Sequence, residues 1–468
     1  MKIEQIYTGC LAQGAYYIES NGEVAIIDPL REVQPYINKA EEAGAKIKYI
    51  FETHFHADFV SGHVTLSEKT GAPIIFGPNA KTNFESIIAE DGQEFKLGAV
   101  TFKVLHTPGH TMESTTYLLR DENGKDHSLF SGDTLFLGDV GRPDLAQKSA
   151  HMTQEELAGT LYDSLRNKIM PLADDVTVYP AHGAGSACGK NMMKETVDTL
   201  GNQKKMNYAL RADMTKEEFV KEVTDGLLPP PAYFPMNVKM NKEGYQDIDE
   251  VMAKGHSGLN ADAFETAANE TGAVMLDIRH QGEFAKGHIP GSIFIGIDGS
   301  FAPWVGDLIK DVQQPILLIG NEDRIEEAIT RLSRVGFDNT LGYLEGGFET
   351  WKNSGKEIDT VRTIPASEFK PMAEKAPVFD VRKPGEFQSE HVVDAKHTSL
   401  SEINEHLAEY PENEDFYLHC AGGYRSMIAA SILKSRGIHN LIDVQGGYKA
   451  IKEAGVNTTN YVCPSTLK

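Results

Sequence analysis

The sequence predicts an α/β protein of about three domains, on three observations. Its 468 residues divide into roughly three units at about 150 residues each. The first half alternates short apolar segments with polar loops and then turns to capped helical segments. The second half holds an internal repeat whose two copies both read strand, helix, strand, helix.

The first-half strands are EVAIIDP (23–29), KYIFETH (48–54), APIIFG (72–77), VTFKVLHTPGH (100–110), TTYLLR (115–120), SLFSGD (128–133) and VTVYPAH (176–182). Several end on His or Asp, which sets polar groups at strand ends, where α/β and sandwich folds carry their sites. Thr153 with Glu156 and Thr215 with Glu218 are capping-box pairs, each ahead of a helical run. The stretch GLLPPPAYFPMN (226–237) breaks regular structure, because a triple proline fits neither a helix interior nor a central strand. Residues 226–247 therefore read as an extended linker that closes the first domain, 1–247.

In the repeat, LDIRHQGEFAKGHIP (276–290) aligns with FDVRKPGEFQSEHVV (379–393) at an offset of 103. Asp277/Asp380, Arg279/Arg382, Gly282/Gly385, Glu283/Glu386, Phe284/Phe387 and His288/His391 are identical. Arg324 matches Arg425 at an offset of 101, and LEGGFETW (344–351) parallels VQGGYKAI (444–451) at 100. The copies span 248–358 and 359–468, and their order of elements predicts open, mostly parallel sheets.

Composition excludes several classes. Hydrophobic residues at 40% and charged residues at 24% are those of a globular protein, and no apolar run nears the ~18 residues of a membrane helix. The start, MKIEQIYTGCLAQG, lacks the layout of a secretory signal. A net charge of −23 argues against general nucleic-acid or anionic-membrane binding, though not against a local basic pocket. Cys10, Cys188, Cys420 and Cys463 show no paired spacing, so free thiols in a reducing cytoplasm are expected.

Four loops offer metal ligands: His54, His56 and Asp58 in ETHFHAD, His110 in HTPGH, Asp133 in SGD and His182 in YPAH. Single histidines on loops are commonly solvated, but four strand ends that all finish in His or Asp point to one shared site. On these motifs residues 1–245 resemble the metallo-β-lactamase fold, an αββα sandwich. The family's HxHxDH motif reads His54-Phe55-His56-Ala57-Asp58-Phe59 here. Its final histidine, which dinuclear hydrolases such as glyoxalase II use for a second metal, is replaced by Phe59. A phenyl ring has no lone pair to donate, so the resemblance implies one metal where those hydrolases hold two ions ~3.5–4 Å apart.

One branch, the persulfide dioxygenases, uses one iron held by two histidines and an aspartate. The resemblance maps these to His54, His110 and Asp133, with one Fe(II) per chain. Phe59 departs from the histidine that most of this branch carries, a departure shared mainly with fused members. His56, Asp58 and His182 are then groups that orient ligands and water, with direct ligation by His56 left open. Arg142 in VGRPD lies where glutathione-using members bind a carboxylate; a structural ion pair is the other reading. Cys188, close after His182, either takes up sulfur or is an inert buried thiol.

HCAGGYRSMIAASIL (419–433) puts Cys420 on a glycine-bearing loop that runs into a helix. Converging N–H groups, the helix N-terminus and Arg425 favour an anion at that sulfur. Both copies resemble rhodanese (sulfurtransferase) domains, whose Cys-x-x-x-x-Arg loop matches Cys420 and Arg425. The first copy reads IGNEDR (319–324), keeps Arg324, and has Ile319 or Gly320 in place of the cysteine, so it is expected to be a pseudo-rhodanese. The order of domains resembles that of bacterial persulfide dioxygenase–sulfurtransferase fusions of sulfide detoxification. That implies oxidation of a small thiol persulfide by O2 to sulfite, then sulfur transfer through Cys420 to sulfite, giving thiosulfate, in a homo-oligomer. The alternatives are a thioester hydrolase and a persulfide carrier without turnover.

Overall fold

A computed structural model describes residues 1–463, which fall into two compact units, 1–248 with 333–336 and 249–332 with 337–463. The first unit is built on two six-stranded sheets. One runs in chain order through Lys2–Thr8, Gln13–Ser20, Glu23–Ile27, Lys46–Phe51, Ile74–Phe76 and Ile87–Ile88. The other runs Asp198–Thr199, Thr177–Pro180, Asp126–Gly132, Thr115–Arg120, Val100–His106 and Glu94–Leu97.

The burial pattern explains the layering. Tyr16, Ile18, Ala25, Ile27 and Phe51 from the first sheet meet Phe102, Val104, Tyr117 and Phe130 from the second in one apolar layer. The opposite face of the first sheet, with Tyr17, Ile26 and Ile50, packs with Tyr36 and Ala40 of the helix Gln34–Glu42 and Leu66 of His63–Thr70. The outer face of the second, with Leu118, Leu129 and Val178, packs with Leu157 and Leu161 of Gln154–Ser164 and Phe219 of Lys216–Thr224. Both faces of each sheet are therefore apolar, giving the helix–sheet–sheet–helix order the sequence led us to expect. Both capping boxes form as read: Glu156 N–H and Glu218 N–H donate to the hydroxyls of Thr153 and Thr215.

The extended linker does not survive as read. Residues Phe234–Glu243 form a helix with proline in its first turn, where the missing N–H costs nothing. The prolines at 229–231 do break regular structure, but the chain recovers within three residues. Asn241 on this helix donates to the carbonyls of His56 and Phe59, both at 2.8 Å, and accepts from Ser61 N–H at 2.8 Å. The segment is thus a buttress of the 56–61 turn.

The second unit contains two five-stranded sheets of identical order. The first copy runs Gly258–Leu259, Thr340–Leu344, Ile316–Ile319, Val274–Asp277, Ile293–Phe294; the second runs Arg362–Pro365, Leu441–Gln445, Phe416–His419, Val378–Asp380, Lys396–His397. Every pairing in both is parallel. No described helix is long and apolar enough to cross a membrane.

Candidate metal centre and sulfur-transfer loop

The two sheets of the first unit bring their polar ends together. Gly14 N–H donates to Ala181 O and Gly183 N–H to Ala12 O, which ties the loop carrying His182 to the first sheet. Gly109 and Gly132 immediately precede His110 and Asp133, and both adopt positive φ, +137° and +53°. A Cβ at 109 would fall 2.4 Å from the Leu161 backbone, and one at 132 would fall 2.7 Å from Thr53. Glycine at both positions lets the two loops turn sharply enough to face His54.

His54, His110 and Asp133 converge, with one ligand atom from each within 4.8 Å of the others, and all three are buried. Asp133 Oδ2 lies 3.8 Å from His54 Nε2 and 3.5 Å from His110 Nε2. The other ring nitrogens are engaged: His54 Nδ1 sits 3.0 Å from Thr53 Oγ1, and His110 Nδ1 sits 2.8 Å from the carbonyl of Arg142. Thr53 Oγ1 donates to Asp28 Oδ2 at 2.8 Å, so it receives the His54 Nδ1 proton. Both Nε2 lone pairs are thereby directed at the point Asp133 faces. Burial, then the neighbouring His56, hold His54 well below the ordinary imidazole range, so it is neutral, the form a metal takes. For Asp133 burial works upward, but His182, His54 and His110 outweigh it and keep the carboxylate ionised.

The residues fit a bound cation. Asp133 Oδ2 is fully buried with no hydrogen-bond partner, an orphan that imidazole lone pairs cannot satisfy. Its other oxygen accepts from His182 Nδ1 at 2.8 Å. His182 Nε2 is 2.8 Å from Asp58 Oδ2 without hydrogen-bond alignment. Burial works to lower His182, and Asp133 with Asp58 outweigh it and raise it well above its usual range.

His56 points away from the triad. Its Nε2 lies 3.1 Å from Asp28 Oδ1 and 3.8 Å from Glu52 Oε2. The Phe59 ring is fully buried, 4.3 Å from the His56 ring and 6.5 Å from that of His182. His56, Asp58 and His182 still form a second buried group within 4.8 Å, and so do Asp133, His182 and Cys188. Burial, then Asp58 and Asp133, push the Cys188 thiol well up.

Arg142 is used within the fold. Its guanidinium meets both oxygens of Asp144 at 2.7 Å, Ala187 O at 3.2 Å and Leu228 O at 2.6 Å. Four of its five N–H groups are occupied, which counts against a free carboxylate clamp. Its backbone orients His110 and receives the loop of Cys188, since Arg142 N–H donates to Cys188 O at 3.0 Å. Asp28, Thr53 and Asn241 were not among the expected site residues. Asp28 is the last residue but one of EVAIIDP and adopts φ +49°, uncommon outside glycine, so an aspartate just past a strand was its only sequence signal.

In the second unit, Cys420 is buried at the end of Phe416–His419 and Gly423 N–H donates to its sulfur at 3.1 Å. Gly423, at φ +102°, caps the helix Tyr424–Ser435. Arg425 makes a two-pronged pair with Glu386 at 2.6 and 2.9 Å, so part of its charge is already spent. In the first copy Asp277 pairs with Ile319 across the sheet as Asp380 pairs with His419. Gly320 therefore stands where the second copy has Cys420, and the loop to Arg324 is one residue shorter than the loop to Arg425. A cavity of about 270 Å³ remains there, lined by Arg279, Glu283, Asn321, Glu322, Phe348 and Glu349.

Residues 8–182 match the metallo-beta-lactamase superfamily, and residues 260–354 and 365–454 each match the rhodanese-like domain. The human mitochondrial persulfide dioxygenase ETHE1 is 31% identical over 222 residues, 47% of this chain and 78% of that protein. The hydroxyacylglutathione hydrolase GloC of Haemophilus influenzae is 29% identical over 213 residues, 41% of this chain and 94% of that one. A crystal structure titled metallo-beta-lactamase from Staphylococcus aureus is 32% identical, with a TM-score of 0.65 over 74% of this chain and 98% of that one. With a persulfide dioxygenase covered over most of its length and a rhodanese-like domain matched twice behind it, the chain belongs to the metallo-beta-lactamase superfamily, as a persulfide dioxygenase-like domain fused to two rhodanese-like domains.

Proposed function

We propose that the chain is a single-iron persulfide dioxygenase coupled to a sulfurtransferase. The observation that carries this reading is the buried triad of His54, His110 and Asp133 with the orphaned Asp133 Oδ2. Two histidines and one carboxylate are the ligand face of non-haem Fe(II) oxygenases. Bound there, iron(II) supplies the redox capacity for O2 chemistry that zinc lacks. The Phe59 ring packs against His56 and faces His182, an apolar wall with no donor where a second metal would need one, which supports one metal over two. His182, held between Asp133 and Asp58, is the group placed to hold or move a proton at Nε2.

The overall reaction takes a thiol persulfide, O2 and water to the thiol, sulfite and two protons. The sulfane sulfur loses four electrons and O2 gains them. In the second step the Cys420 thiolate takes the outer sulfur of a second thiol persulfide, whose S–S bond breaks to release the thiol; the outer sulfur of the Cys420 persulfide then passes to sulfite, the S–S bond of thiosulfate forms, and Cys420 leaves as thiolate. Gly423 N–H at the sulfur and the following helix N-terminus are suited to both anions.

A thioester hydrolase is the second reading, favoured by the buried group of His56, Asp58 and His182. Product analysis separates the two. Given a glutathione persulfide and O2, the Cys420→Ser protein is expected to consume oxygen at the wild-type rate, release sulfite and form no thiosulfate. Serine fits the loop but cannot accept sulfur. Thiosulfate at wild-type levels from that variant would place sulfur transfer elsewhere, with Cys188 the first residue to test.

A further inference from the structure

The first rhodanese-like copy has lost its cysteine, yet its loop is not idle. Arg324 reaches Asp298 at 3.0 Å and Glu327 at 2.7 Å, so it braces the 296–299 turn from one side. Arg331 donates to Ile297 O at 2.6 Å and holds the same turn from beneath. That turn receives a side chain from the second copy. Tyr424, the residue before Arg425 in the Cys420 loop, donates its hydroxyl to Gly296 O at 2.6 Å. Its ring lies so close over Gly299 that a Cβ there would fall 2.3 Å from the ring, and its centroid is 5.9 Å from that of Phe294. Two turns further along the same helix, Ser431 Oγ accepts from Phe294 N–H at 3.0 Å. The first and third turns of the Tyr424–Ser435 helix are thus pinned to one strand and one turn of the first copy.

We propose that Tyr424 is a positioning residue and that the cysteine-less copy is a bracket for the sulfur-transfer loop: its retained Arg324 and its Gly296–Gly299 turn fix the start of the helix whose cap, Gly423, presents its N–H to Cys420. Tyr424 follows Gly423 directly, so a shift of its ring displaces the N–H that Gly423 presents to the sulfur. The loop's other side is already fixed, since Tyr448 N–H donates to Cys420 O at 2.6 Å. This rests on the proposal that Cys420 carries the sulfur.

The test is a double-mutant cycle on the full chain, with Tyr424→Ala, Gly299→Ala and their combination, read by thiosulfate-to-cyanide sulfur transfer. Tyr424→Phe serves as a conservative variant that keeps the ring. Gly299→Ala, which lies in the copy without a cysteine, is expected to lower kcat by roughly ten- to hundredfold with little change in the KM for thiosulfate. In the Tyr424→Ala background the same substitution is expected to cost nothing more, because the ring it displaces is gone. Tyr424→Phe should recover most of the activity lost in Tyr424→Ala, and oxygen uptake should be unchanged throughout. Wild-type kcat in both single variants, or fully additive losses in the double variant, would overturn the proposal. If wild type and Cys420→Ser transfer sulfur equally, the underlying assignment of Cys420 fails instead, and the bracket with it.

Discussion

At Asp133 a buried carboxylate has one oxygen satisfied by His182 and one facing two imidazole nitrogens that carry no proton. An unpaired buried carboxylate oxygen is costly, and a cation is what the surrounding atoms are arranged to accept. In the single-iron proposal Phe59 is the residue that limits the count to one. Restoring a nitrogen donor beside Asp58 with Phe59→His is expected to raise the bound metal from one towards two per chain, measured by metal titration, and to weaken oxygen uptake. Titration that still saturates at one would mean that the phenyl ring is not what limits the count. This scale was partly legible in the sequence. Strand ends finishing in His or Asp marked the neighbourhood, and the resemblance to persulfide dioxygenases singled out His54, His110 and Asp133 within it. For Arg142 the sequence left a carboxylate contact and a structural ion pair both open, because a guanidinium in a loop gives no sign that Asp144, two residues on, takes it up.

Among the elements, the helix Phe234–Glu243 holds the 56–61 turn, which follows His54 directly, from far along the chain. Asn241 supplies three buried hydrogen bonds to residues 56, 59 and 61. Asn241→Ala leaves those backbone groups unpaired, at about 1–3 kcal/mol. A lower melting temperature and roughly ten- to hundredfold weaker metal retention are expected; unchanged retention would make the helix irrelevant to the site. Sequence reading missed this element because a run of prolines masked a short helix whose stability comes from packing and not from propensity. The strands were easier, since their apolar runs sit between turns, and Thr115–Arg120 lies where TTYLLR placed it.

A second element-scale prediction concerns Asp443 on the strand Leu441–Gln445. Burial pushes its carboxyl from 3.8 up to about 7, with Ser426 opposing. The folded state therefore binds a proton that the unfolded state releases above about pH 4, and this residue's contribution to stability falls as pH rises from about 4 to 7. Asp443→Asn removes that slope. The stability of the variant relative to wild type should grow over that range by on the order of 4 kcal/mol and then level off. A difference that does not vary with pH would show that Asp443 ionises normally.

At the scale of the whole molecule, the internal repeat and the linear order of motifs made the architecture readable before any coordinates. Six identities across a constant offset predict two like domains, and two parallel sheets of identical strand order are what the chain forms. The one-residue shortening of the Gly320–Arg324 loop, by contrast, became clear only from strand register. The central claim is that one redox-active metal on His54, His110 and Asp133 drives oxygen chemistry on a persulfide. The measurement that tests it most directly is metal content of anaerobically purified protein, followed on the same sample by oxygen uptake with a thiol persulfide. The account predicts one iron per chain and about one O2 consumed per sulfite and thiosulfate formed together. It also predicts that Asp133→Ala loses both iron and oxygen uptake while Cys420-dependent sulfur transfer persists. Two zinc ions per chain with thioester hydrolysis and no oxygen uptake would contradict it.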